Sequence, residues 1–236
     1  MRTIDRRLGL SIFVRDERVA LLDLIENTHT YFDEIVVLDT GSTDNTQKEL
    51  HKLEAIMWPK LQIYLLNIPL DADHFHFGQV RSTAAHLNHC GYVFMLDVDE
   101  RITPHDLQIL TTDCHRDALS LGWPAVAFQR HNWYDSPEER KSENREVLPD
   151  WQVRMIRNDG THRWQRPVHE TCMGGPVWHW DASTMGYDKI WLHHHHMWFK
   201  KDQKPVDRNK LYEDLKWSDP RWTHTYEQER WWEENK

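Results

Sequence analysis

Four largely apolar runs of strand length punctuate the first hundred residues: Leu8–Val14, Ile35–Leu38, Leu61–Leu66 and Tyr92–Leu96. Short runs of this kind read as strands covered on both faces. The stretches between them are long enough for helices. Val19–Tyr31 sets Leu21, Leu22, Ile25 and Tyr31 at helical spacing, a second helix runs to about Ala55, and a third spans Phe77–His89. The turn Thr40-Gly41-Ser42-Thr43-Asp44 offers Ser42 or Thr43 as the N-cap of the second helix. Strands alternating with helices predict an α/β fold, a Rossmann-like, mostly parallel central sheet with helices on both faces.

After residue 100 the rhythm changes. Thr103-Pro104-His105-Asp106 reads as an N-cap, a first-turn proline and a capping acid, opening a helix to about His115. Ala125–Asn132 and Gln152–Ile156 read as strands with no helix between them, and Ile190–Leu192 runs into four consecutive histidines, His193–His196. From Val206 onward the chain reads as a charged, Trp-rich helical tail. Neither a repeat nor a linker is visible, so the expectation is a single domain over 1–236. It divides into a first half over about 1–100, a mixed half over about 101–200 and a tail over about 201–236.

A net charge of −9 argues against general attraction to nucleic acid or to anionic membrane. Three widely spaced cysteines (Cys90, Cys114, Cys172) form no disulfide framework and suggest reduced thiols. With no apolar stretch long enough to span a bilayer, the expectation is a soluble, cytoplasmic protein. The 13 tryptophans, most of them after residue 120, serve either packing or the stacking of sugar rings or bases.

The chemistry concentrates where the fourth run stops at Asp97-Val98-Asp99-Glu100. Carboxylates at the carboxyl end of a strand lie where open α/β sheets place their ligands. In extended chain Asp97 and Asp99 point the same way, and two such oxygens suit a hard divalent ion that also holds a diphosphate. A solvated acidic turn gives the same local pattern.

Phe13-Val14-Arg15-Asp16-Glu17, Val36-Val37-Leu38-Asp39-Thr40-Gly41-Ser42-Thr43-Asp44 and Leu96-Asp97-Val98-Asp99-Glu100 together resemble the nucleotide-sugar half of a family 2 glycosyltransferase with the A-type fold. Val153–Gly160, Trp164 and Pro167-Val168-His169-Glu170 are similar to that family's acceptor half. The resemblance implies that Val14, Asp16, Glu17, Asp39, Arg81 and Asp97 bind the donor. Asp39 would take the base, as a carboxylate can accept a uracil imide N–H, and Arg81 would lie near the nucleotide. Ser82 follows Arg81 where the family commonly has Asn. The same resemblance implies that Asp99 binds Mn²⁺ or Mg²⁺, with one of His193, His194 or His195 completing the metal shell, and that Glu170 is the catalytic base. Trp133, Trp151, Arg154, Trp164 and His169 fall in the half that would receive the acceptor. A separate zinc site at Asp73, His74 and His76 has no fixed ligand spacing to support it.

The expected function is therefore inverting transfer of a sugar from a nucleotide-diphosphate sugar, a UDP-sugar, to an acceptor hydroxyl on a carbohydrate, a protein or a hydroxymethylated DNA base. Nucleotidyl transfer on the same fold is a rival, but its Gly-rich loop is missing from Arg15-Asp16-Glu17-Arg18. A lectin-like binder is another.

Overall fold

The computed structural model describes residues 5–71, 74–132, 150–167, 170–181 and 190–194. Its elements, in chain order, are β1 (Leu8–Val14), α1 (Arg18–Thr28), β2 (Glu34–Asp39), α2 (Thr46–Met57), β3 (Leu61–Leu65), α3 (Phe77–His86), β4 (Tyr92–Met95) and β5 (Glu100–Arg101). Then follow α4 (Pro104–Ile109), a π-helical turn over Leu110–Cys114, α5 (His115–Leu121), β6 (Ala125–Asn132), β7 (Asp150–Arg157), β8 (Arg163–Gln165), β9 (Thr171–Met173), β10 (Trp178–His179) and β11 (Trp191–His194).

The main sheet runs β3-β2-β1-β4-β7-β6-β11-β5, with β10 added beside β6, while β8 and β9 form a separate ribbon. The first four strands are mutually parallel. β7 enters antiparallel between β4 and β6, and β11 lies parallel to β6. This is the α/β architecture that the sequence predicts, with a mixed second half. The helical tail expected after Val206 lies outside the described residues. Among the described residues no helix is long and apolar enough to cross a membrane.

Because strand side chains alternate, each strand feeds two cores. Leu8, Leu10, Ile12, Val14, Ile35, Val37, Tyr92 and Phe94 pack with Leu21, Leu24 and Ile25 of α1, Leu50 of α2, and Leu107, Leu110 and Ala118 from α4, the π-turn and α5. Leu38, Val93, Met95, Ala125 and Ile156 pack on the other side with Val80, Ala84 and Ala85 of α3. Helices therefore cover both faces.

Two local readings are corrected. α2 begins at Thr46, and neither Ser42 nor Thr43 caps it. Both are engaged with Asp16: its backbone N–H donates to Ser42 Oγ at 2.9 Å, and its carboxylate accepts from the Thr43 N–H at 2.5 Å. The acidic segment is also not an extension of β4, which ends at Met95. Val98 and Asp99 form a turn closed by the Glu100 N–H donating to Asp97 O at 2.9 Å. Asp97 and Asp99 consequently head for different partners. Thr103, in contrast, caps α4 as expected, accepting the Asp106 N–H at 3.1 Å with Pro104 in the first turn.

His115 opens α5 edge-on to the Tyr92 ring at 5.5 Å between centroids. Burial pushes its imidazole below the ordinary histidine range, so the unfolded chain binds the proton more readily. Its contribution to stability is full above the ordinary imidazole pKa of about 6.5 and is lost as the pH falls through the lower folded-state value. Thermal unfolding of wild type and His115→Phe, compared from about pH 7 to about pH 5, is expected to shift steadily in the variant's favour. A pH-independent difference would contradict this.

Candidate active site

β1 and β2 end level, with Val14 opposite Asp39, and β4 joins on the other side of β1 with Met95 opposite Ser11. Their carboxyl ends form one edge of the sheet, where loops rather than side-chain layers fill the space. Asp39 is fully buried at this edge. Its Oδ1 accepts from the Gly41 and Ser42 N–H groups, each at 2.8 Å, and from Gln47 Nε2 at 3.1 Å. Gly41 makes that turn at φ 111°, a conformation glycine adopts without strain. The other oxygen, Oδ2, is buried with no hydrogen-bond partner among the described residues. One half of the carboxylate is thus consumed by the turn and the other half is left as a lone acceptor.

Asp16 sits at φ 54° beside this turn, and Glu17 stands at the N-cap of α1. Val14, expected at the donor, is 1% exposed with its side chain in the core, and its carbonyl accepts both the N–H and the hydroxyl of Thr40.

A buried ion network lies at the same edge. Arg81 of α3 places Nη2 2.8 Å from Asp97 Oδ1, and Arg154 of β7 donates from Nη2 to Asp97 Oδ2, also at 2.8 Å. The two guanidinium groups bracket one carboxylate. Burial pushes the Asp97 carboxyl up, but Arg154 and then Arg81 outweigh it and hold the group below the usual carboxylate range. Arg154 was expected on the acceptor side. It lies instead beside Asp97 at this edge of the sheet because β7 runs antiparallel beside β4 and carries residue 154 back to it. Glu100, fully buried, accepts from Arg154 Nη2 at 2.5 Å and from the Asp97 N–H at 3.1 Å. Sequence reasoning assigned Glu100 no role, although a signal existed: it alternates with buried Val98 and Ile102, an acid on an apolar-facing position.

Glu170 approaches from the β8–β9 side. Arg81 Nε and Nη2 donate to its Oε1 at 3.4 and 3.3 Å, while the guanidinium lies over the Phe13 ring at 5.1 Å. The ribbon is seated on α3 by the Phe77 N–H to Pro167 O at 3.0 Å, the Gly78 N–H to Arg166 O at 3.1 Å, and reciprocal bonds between Ser82 and the Trp164 backbone. A Cβ at Gly78 would meet Arg166 O and the Gln165 carbonyl carbon at 2.8 Å, backbone atoms that cannot step aside. Gly78→Val is therefore expected to unseat the ribbon and displace Glu170. Limited proteolysis should cut 163–176 faster while the α1 side of the sheet stays protected; unchanged cleavage would contradict this.

Trp164, expected to meet an acceptor, is 4% exposed and belongs to the core beneath α3. Trp151 is half-buried and stacked on His179 at 4.6 Å. Trp133, His169 and His195 lie outside the described residues. Across from the acidic turn, β11 pairs antiparallel with β5, setting His194 opposite Glu100. His194 Nε2 lies 3.5 Å from Asp99 Oδ2. Burial works against the imidazolium, yet Asp99 outweighs it and raises the His194 pKa. The expected ligand His193 is its neighbour in the strand and alternates to the other face. In the loop proposed for zinc, His76 caps α3 by accepting the Gln79 N–H, and His74 pairs with Asp71 at 2.7 Å. Among the described residues no three His, Cys, Asp or Glu side chains gather as a metal site.

The family model for glycosyl transferase family 2 matches residues 17–176. The chain belongs to this family. Its sheet is the A-type fold of that family. Solved structures of S. aureus TarS are similar to it. TarS 1-349 in complex with UDP shares 17% identity at a TM-score of 0.44, over 55% of this chain and 37% of that one. The same TarS segment without UDP shares 18% at a TM-score of 0.42, over 56% and 38%. TarS itself shares 17% at a TM-score of 0.43, over 56% and 23%. The chain thus spans less than half the length of these structures.

Proposed function

We propose that this family 2 enzyme transfers a sugar from a uridine diphosphate sugar to an acceptor hydroxyl with inversion at the anomeric carbon, assisted by a divalent cation. One observation carries the reading. Asp39, the Asp97–Asp99 turn and Arg81 meet at the ligand edge of the sheet, and the β8–β9 ribbon brings Glu170 against the same arginine.

The spare Oδ2 of Asp39 supplies the acceptor that a uracil imide N–H requires. Asp97, spanned by two arginines, has little left to offer a cation, so that duty falls to Asp99 with His194. Asp99 and His194 would hold the cation through one carboxylate oxygen and one imidazole nitrogen, a set that fits Mn²⁺ better than Mg²⁺. When bound, such an ion neutralises charge growing on the departing diphosphate. Arg81 lies where its guanidinium can aid the same charge. Glu170 takes the proton of the attacking hydroxyl, and a single displacement inverts the anomeric centre.

Incubation with a panel of nucleotide sugars, followed by proton NMR of the product, tests the scheme. The expected product has the anomeric configuration opposite to that of the donor, with release of UDP. A product of retained configuration contradicts it.

A further inference from the structure

The geometry points to Glu100 as a positioning residue for sugar transfer, acting through the turn that carries Asp97 and Asp99. This inference rests on the donor-edge reading above. Glu100 is fully buried, and each of its carboxylate oxygens has a separate task. Oε2 accepts the Asp97 N–H at 3.1 Å while the Glu100 N–H donates back to Asp97 O at 2.9 Å, so residues 97 and 100 are stapled to each other in both directions. Oε1 accepts from Arg154 Nη2 at 2.5 Å, with Arg130 Nη1 further off at 3.9 Å.

That same Arg154 nitrogen holds Asp97 Oδ2 at 2.8 Å. Glu100 therefore fixes Asp97 twice, once through the backbone and once through a shared guanidinium. Its own backbone lies in β5 opposite His194, the residue beside Asp99. Glu100 thus reaches both arms of the acidic turn: its carboxylate fixes Asp97 toward the arginines, and its backbone pairing in β5 brings His194 to Asp99. A carboxylate left in that interior with no partner would be strongly destabilising. Its two tasks account for an acid at a fully buried position in Asp97-Val98-Asp99-Glu100.

Glutamine has one acceptor oxygen where Glu100 uses two, so Glu100→Gln keeps either the Asp97 amide or the Arg154 guanidinium, not both. Misplacement of reacting groups by about 1 Å costs on the order of 100-fold in rate. The expected result is a fall in kcat for donor turnover of roughly that size, with the donor KM changed less than about threefold. Hydrogen exchange is the second readout and needs no activity. The Asp97 and Glu100 amides should lose protection in Glu100→Gln while those of β1 and β2 keep theirs. Glu100→Asp retains charge and both oxygens but is a methylene short; it carries the same two measurements if Glu100→Gln does not fold, with the same expected direction. Unchanged protection at residues 97 and 100, or kcat and KM both at wild-type values, overturns the inference. Lost protection in a protein whose wild type turns over no nucleotide sugar would instead uphold the positioning role and sink the functional reading.

Discussion

Glu170→Gln is expected to lower kcat for sugar transfer by about 10²–10⁴-fold, the range that a positioned general base contributes. The donor KM should stay close to wild type, because the role proposed for the group is on the acceptor hydroxyl. The amide is nearly isosteric and still offers an oxygen to Arg81, whose bonds to Oε1 are long at 3.3 and 3.4 Å. Folding should therefore survive, and unchanged thermal unfolding separates lost chemistry from lost structure. Glu170 is 17% exposed at its side chain, open enough to meet an acceptor yet tied to the arginine beside Asp97. A variant that retains wild-type kcat with a saturating acceptor would remove Glu170 from the mechanism.

The largest effect on stability is expected from Arg81→Met. Its guanidinium is buried against Asp97 and Glu170, and burial, which opposes its charge, is outweighed by those carboxylates. Methionine fills much of the volume but, among the described residues, leaves Asp97 with Arg154 as its close cation and takes from Glu170 the Arg81 donor. Removing one partner of a buried pair typically costs about 3–5 kcal/mol, because the other charge stays behind. Chemical denaturation should show a loss of that order, and donor turnover should fall with it. Arg81→Lys keeps the charge but not the fork, so it should recover much of the stability and little of the turnover. If Arg81→Met unfolds within about 1 kcal/mol of wild type, the network contributes less than its burial implies.

Much of this was readable from the chain, for a physical reason in each case. β1 to β4 are apolar runs that both cores demand, so their positions follow from hydrophobic pattern alone. β5, β8, β9 and β10 are two or three residues long, too short to show any period, and they exist because neighbouring strands offer hydrogen bonds. Asp39 and Glu170 stand out by motif, and the structure places both at the carboxyl-end edge of the sheet. The direction in which Asp97 and Asp99 point shows in no motif, since it depends on β4 stopping at Met95 and the chain turning at Val98. Arg154 reads as an acceptor residue by its place in the chain and comes to lie beside Asp97 only through the antiparallel insertion of β7. Trp164 illustrates the reverse error. An aromatic in a binding half is read as a platform, yet the seating of β8 on α3 buries it.

The donor edge itself is tested most directly by calorimetric titration of UDP, with and without Mn²⁺, into wild type and Asp39→Asn. The asparagine has a single oxygen, which either the Gly41–Ser42 turn or the uracil can use, so base binding and turn geometry cannot both survive. Saturable binding to wild type that strengthens with Mn²⁺ and weakens at least about tenfold in Asp39→Asn is the expected result. Binding that is absent from wild type, or identical in the two proteins, would contradict a uridine nucleotide at that edge.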